Sequence, residues 1–118
     1  MSIDIYMGGS RLGYLEFGGD IYLQGSREGY FSGTDIYQSG CRRGYISGED
    51  LYVDGSRVGY LSTSGDMYVN GCRKGDISDN GDIYIDGCRW GQMQASLDGL
   101  EEKMYVFAFL YVFTESLR

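Results

Sequence analysis

Hydrophobic and polar positions alternate in short runs along most of the chain, and turn residues interrupt the runs at regular intervals. Residues 50–65 show the unit: Asp50-Leu51-Tyr52-Val53, Asp54-Gly55, Ser56-Arg57-Val58-Gly59-Tyr60-Leu61-Ser62, then Thr63-Ser64-Gly65. Two β-prone runs joined by a dipeptide ending in Gly predict a hairpin. The same phrase begins at Asp4, Asp20, Asp35, Asp50, Asp66 and Asp82, so six copies follow one another at spacings of 15 or 16 residues. Self-similarity at a fixed short period means one supersecondary unit stacked on itself, each copy too small to bury a core alone.

The second turn of each copy explains the two spacings. Gly33-Thr34 and Gly48-Glu49 suit two-residue type II′ loops, whereas Thr63-Ser64-Gly65 and Asp79-Asn80-Gly81 suit a type I turn followed by a Gly bulge. Across these turns Leu61 opposes Met67 and Tyr60 opposes Tyr68. A plain two-residue first turn would then exchange the faces in each successive copy, so one extra residue is needed per copy. The pattern predicts that residue at the first turn, as a three-residue loop Val53-Asp54-Gly55 with the bulge at Gly. One face then carries the Ile5 and Leu15 positions with the Arg and the second Gly. The other carries Asp, both Tyr positions and the Ser or Cys.

Twelve short antiparallel strands in a meander would expose two edges, so closure into a ring or barrel is expected. The alternative is a β-solenoid, for which 15 to 16 residues is also a workable coil; two good hairpin turns per copy favour the meander. The six copies make up residues 1–94. Residues 95–118 depart from the pattern and contain the most apolar run of the chain, Met104 to Phe113. Asp98 followed by Glu101 resembles a capping box and predicts a helix over 98–115, packed in the same domain. A helix apolar on every side must be surrounded, and its length suits the axis of a ring of short hairpins. The inward Gly of each copy would leave room for Phe107, Phe109 and Phe113. The fold class is therefore all-β with one C-terminal helix: six hairpins in a closed meander around a central hydrophobic helix.

Tandem Asp-Ile-Tyr, Gly, Arg and Gly-Tyr-hydrophobic hairpins ending in an aromatic tail resemble the bacterial β-flower proteins. In that family hairpin repeats form petals around a pseudo-symmetry axis. The likeness covers about residues 3–94 and implies a fold but no activity. Asp76 and Gln92 depart from it, replacing the Tyr of the Gly-Tyr pair, and are read as marking the seam.

Composition narrows the function classes. The net charge of −7 disfavours nucleic acid and anionic membranes as partners, since both call for a positive field. The apolar run is too short to span a bilayer. There is no histidine, which removes the commonest general base and metal ligand. Cys41, Cys72 and Cys88 occupy a position that is Ser10, Ser26 or Ser56 elsewhere, so the site asks for a small side chain. An odd cysteine count and the absence of a signal peptide point to the cytoplasm. Asp and Arg recur in each copy, but the parity above puts them on different faces and assigns them no acid–base role. No catalytic, cofactor or metal residue is expected. The reading is a non-enzymatic structural or protein-interaction module, monomeric or homo-oligomeric. The alternative is a multivalent carbohydrate-binding protein using the Tyr-rich face, with Tyr45, Tyr52, Tyr60, Tyr68, Trp90 and Gln92 as the candidate surface.

Overall fold

The computed structural model describes residues 2–16, 19–78, 80–94, 100–114 and 117. Among them each copy supplies two strands: β1 (Ser2–Met7) and β2 (Ser10–Glu16), β3 (Asp20–Leu23) and β4 (Ser26–Ser32), β5 (Asp35–Gln38) and β6 (Cys41–Ser47). The later copies give β7 (Asp50–Val53) and β8 (Ser56–Leu61), β9 (Asp66–Val69) and β10 (Cys72–Ile77), β11 (Asp82–Ile85) and β12 (Cys88–Gln94). Neighbours in sequence pair antiparallel, and β12 returns to β1, closing a barrel. The solenoid alternative is excluded. At the seam Ile5 faces Met93 and Tyr6 faces Gln92, the same register that sets Leu15 against Ile21 and Tyr14 against Tyr22. Closure therefore uses the ordinary joint between copies, and no strand edge is left open among the described residues.

The first turn corrects the sequence reading. Leu23 pairs directly with Ser26 and Val53 with Ser56, so each first loop has two residues, not three. Gln24 and Gly25 both have positive φ, 51° and 85°, as a type I′ turn requires. That turn matches the twist of the strands, which displaces the extra residue further along. The bulge lies after the Arg: Tyr52 opposes Arg57 and Leu51 opposes Gly59, leaving Val58 between them without a cross-strand partner on β7. Leu12, Glu28, Arg43, Lys74 and Trp90 are its equivalents. Their carbonyls do not go unused. Leu12 O accepts from Gln24 N at 2.7 Å and Val58 O from Asn70 N at 3.0 Å, and the bulges of the first five copies are all tied in this way to the turn of the following copy.

Moving the bulge by three positions changes two face assignments. The Arg turns outward beside Asp and Tyr, whereas parity with a Gly bulge had put it inward. The Ser or Cys takes the inward parity but lies at the rim, where Cys41, Cys72 and Cys88 are free and exposed. The second turns at 33–34, 48–49 and 63–65 follow expectation, while Asp79 of the predicted Asp79-Asn80-Gly81 turn lies outside the described residues. Gly33 and Gly48, each at φ 63°, lead two-residue loops. In the longer version Gly65 N donates to Ser62 O at 3.0 Å and Ser62 N to Asp66 O at 2.9 Å, a type I turn closed by a Gly bulge.

Helix α1 (Leu100–Val112) fills the barrel. It is shorter than the predicted 98–115, and Asp98 of the supposed capping box lies outside the described residues. Val106, Phe107, Ala108, Phe109 and Leu110 are all fully buried. Five consecutive residues cover more than one 3.6-residue turn, so the helix is enclosed on every side. Around it stands a girdle of equivalent positions, Ile5, Ile21, Ile36, Leu51, Met67 and Ile83, also fully buried. Tyr105 marks the end bearing the second turns: its ring meets Phe31 edge-on at 4.7 Å and its hydroxyl donates to Gly33 O at 3.4 Å. Phe113 lies towards the opposite, first-turn end.

The inward glycines serve the sheet before they serve the helix. A Cβ on Gly13, Gly29, Gly44, Gly59, Gly75 or Gly91 would come within 1.9–2.2 Å of a Tyr carbonyl oxygen on the adjacent strand. The Phe113 and Phe107 rings come next, 3.0 Å from the Gly29 position and 3.3 Å from Gly59. Room for phenylalanine is thus the smaller part of the reason, and close strand approach the larger.

Candidate functional site

The outward residues form staggered rows across four strands. One row reads Asp4, Tyr14, Tyr22, Arg27, and the next Asp20, Tyr30, Tyr37, Arg42. The central pairs are stacked face to face: Tyr14 on Tyr22 at 4.5 Å, Tyr30 on Tyr37 at 4.7 Å, Tyr45 on Tyr52 at 4.7 Å and Tyr60 on Tyr68 at 4.6 Å. A guanidinium lies over the first Tyr of each, from 4.2 Å for Arg11 on Tyr14 to 5.2 Å for Arg27 on Tyr30. The same arginines are held by carboxylates, as in Arg11–Asp4 at 3.0 Å and Arg57–Asp50 at 2.9 Å. The expectation that Asp and Arg lie apart on different faces is thus overturned in all six copies, because the bulge falls after the Arg.

These contacts leave their mark on ionisation. Partial burial, then the neighbouring Tyr22 phenol and Glu16, push the Tyr14 hydroxyl above the usual tyrosine value, with Arg11 pulling the other way. Arg73 is held still more firmly protonated by its hydrogen bond to Asp66, with Asp76 adding to the effect.

Two rows depart from the rule. Asp76 stands opposite Tyr84, and Gln92 stands opposite Tyr6 across the seam. In both, the Arg that elsewhere covers a ring takes a polar partner: Arg73 donates to Asp76 at 3.1 Å and Arg89 to Gln92 Oε1 at 2.7 Å. At the seam two further departures meet the first. Gly8 opens the first turn of the first copy, where later copies have Gln24, Ser39, Asp54, Asn70 or Asp86. Trp90 occupies the bulge of the last copy. Tyr6, Gly8, Gly9, Arg89, Trp90 and Gln92 line a cavity of about 270 Å³. Trp90 also borders a second hollow of about 320 Å³ at the first-turn rim, with Met7, Leu12, Leu23 and Phe113. Met7 is the one large hydrophobic side chain among the described residues that is exposed, at about half of its surface.

Of the residues singled out from sequence, Trp90 and Gln92 come together in the seam cavity. Tyr45, Tyr52, Tyr60 and Tyr68 lie elsewhere on the barrel and are engaged in the ladder. Tyr6, Gly8 and Arg89 were missed. Their signal was present: closure brings the first copy beside the last, and Gly8 breaks the polar consensus at its position. No group of three or more potential metal-ligating side chains exists among the described residues. No described helix is long and apolar enough to cross a membrane. No protein-family model, curated protein or solved structure matches this chain.

Proposed function

We propose that this chain is a non-enzymatic recognition module that binds at the barrel seam, around Trp90, once per chain. The observation that carries this reading is the convergence of three departures from the repeat, Gly8, Trp90 and Gln92, on one cavity. A ring with a structural task alone has no need of one differentiated joint. The six Asp–Arg pairs support a binding role over catalysis, because the recurring charges satisfy each other on the barrel surface. The three exposed free thiols fit a reducing, cytoplasmic setting. Kinship with the bacterial β-flower proteins belongs to this proposal and rests on the repeat pattern alone.

Multivalent glycan binding along the ladder has less support. The faces of Tyr14, Tyr30, Tyr45 and Tyr60 are taken up by a stacked Tyr and a guanidinium. A screen of single-ring fragments by amide-resolved NMR tests the proposal. Hits should move the amides of Tyr6, Trp90 and Gln92. Hits confined to the Tyr30–Tyr52 flank, or none anywhere, would refute it.

A further inference from the structure

The seam cavity is a ladder rung with a ring missing. In four rows a Tyr on the even-numbered strand stacks on the Tyr opposite at 4.5–4.7 Å. At the seam Gln92 takes the place of the first ring, and the Tyr6 ring opposite has no tyrosine to stack on. The cavity is lined by Tyr6 and Gln92 together, and its volume of about 270 Å³ falls just below the roughly 300–1,000 Å³ of small-molecule sites, which suits one ring. The Gly8-Gly9 turn bears no side chain that could close its mouth.

The surroundings select among rings. Arg89 is neutralised by Asp82 at 3.1 Å, so the cavity offers an anion no uncompensated charge. The Arg89 guanidinium, the Gln92 amide and the Tyr6 hydroxyl supply both donors and acceptors. A ring with an apolar face for Tyr6 and Trp90 and a hydroxylated edge for these groups matches both halves of the lining. From this we infer that the site takes a neutral hexopyranose, as a free sugar or as one residue of a glycan. The inference rests on the seam being the binding face.

Gln92→Tyr is the decisive variant. It restores the rung already present in four rows, so the barrel should fold and gain thermal stability, while the added ring fills the site. Trp90 is the only tryptophan, so its emission reports directly on the cavity. D-glucose, D-galactose, D-mannose and N-acetyl-D-glucosamine are titrated singly into the full chain, alongside p-cresol as a stand-in for an aromatic side chain. We expect a saturable emission change with at least one sugar, weakened at least tenfold by Gln92→Tyr and by Tyr6→Ala. Amide shifts should centre on Tyr6 and Gln92. Binding of p-cresol without any sugar would overturn the pyranose assignment and leave the seam reading standing, with a protein's aromatic side chain as the occupant. Sugar binding unchanged in Gln92→Tyr would also overturn it. Failure of the sugars, of p-cresol and of the fragment screen together would remove both.

Discussion

Replacing Gly44 by alanine should cost far more than its one methyl group suggests. The backbone there is ordinary strand, so no conformational penalty arises. The new Cβ would lie 2.0 Å from Tyr52 O and 3.0 Å from Val53 Cα, both backbone atoms of the neighbouring strand. Even a close C–H···O contact keeps carbon and oxygen about 3.3 Å apart, so β6 and β7 must separate by roughly an ångström or more. Overpacking of this kind costs about 1–3 kcal/mol, and each buried backbone group that loses its partner about 1–3 kcal/mol more. A loss of about 3–5 kcal/mol would be a large share of the roughly 5–15 kcal/mol that stabilises a typical domain. Gly40→Ala is the matched control. Its φ is 81°, nothing lies within 4 Å of the added carbon, and only the left-handed backbone penalty of about 1–2 kcal/mol applies. Equilibrium unfolding in urea, followed by Trp90 emission and circular dichroism, gives both values. If Gly44→Ala is no more destabilising than Gly40→Ala, close strand approach is not why the inward glycines are there.

Phe107→Ala empties the centre of the barrel and should lower stability by about 3–5 kcal/mol in the same assay; a chain truncated after Gln94 should bind a hydrophobic dye and lose cooperative unfolding. A truncated chain as stable as the full one would refute the enclosed helix. Arg57→Ala removes an ion pair and a cation–π contact from a half-exposed position and should cost about 1 kcal/mol or less, and less at high salt than at low. Tyr14 should deprotonate above the usual tyrosine value of about 10, seen by NMR of ring-labelled tyrosine. Because its folded-state value is raised, its contribution to stability is complete below the unfolded value and is lost as the pH rises through the folded one. Tyr14→Phe should flatten that part of the pH–stability curve.

Strand positions, both second-turn types, the stacked tyrosine pairs and the enclosed helix were legible because each rests on local pattern or on burial arithmetic. The bulge was not. One extra residue anywhere between Asp54 and Gly59 repairs the faces equally well, so parity alone could not choose its place. Asn70-Gly71, Asp54-Gly55 and Asp86-Gly87 did carry the answer, being the dipeptides that favour a two-residue type I′ turn. Preferring the Gly bulge then turned Arg inward on paper and hid the Asp–Arg pairs, the contact most often repeated on the outside. The seam was legible only in part. Gln92 and Trp90 stood out within the last copy, but Tyr6 and Gly8 lie more than eighty positions away, and only ring closure brings them alongside.

The enclosed helix also sets a gauge. Barrel diameter grows roughly in proportion to strand number, and an α-helix with its side chains is about 10–12 Å across. A chain with five copies would close too tightly to admit α1, and one with seven would leave a void around it. Gain or loss of a single 15- or 16-residue unit would therefore change the fit between barrel and helix. The tail, which shares nothing with the repeat in sequence, thereby dictates how many times the repeat is written.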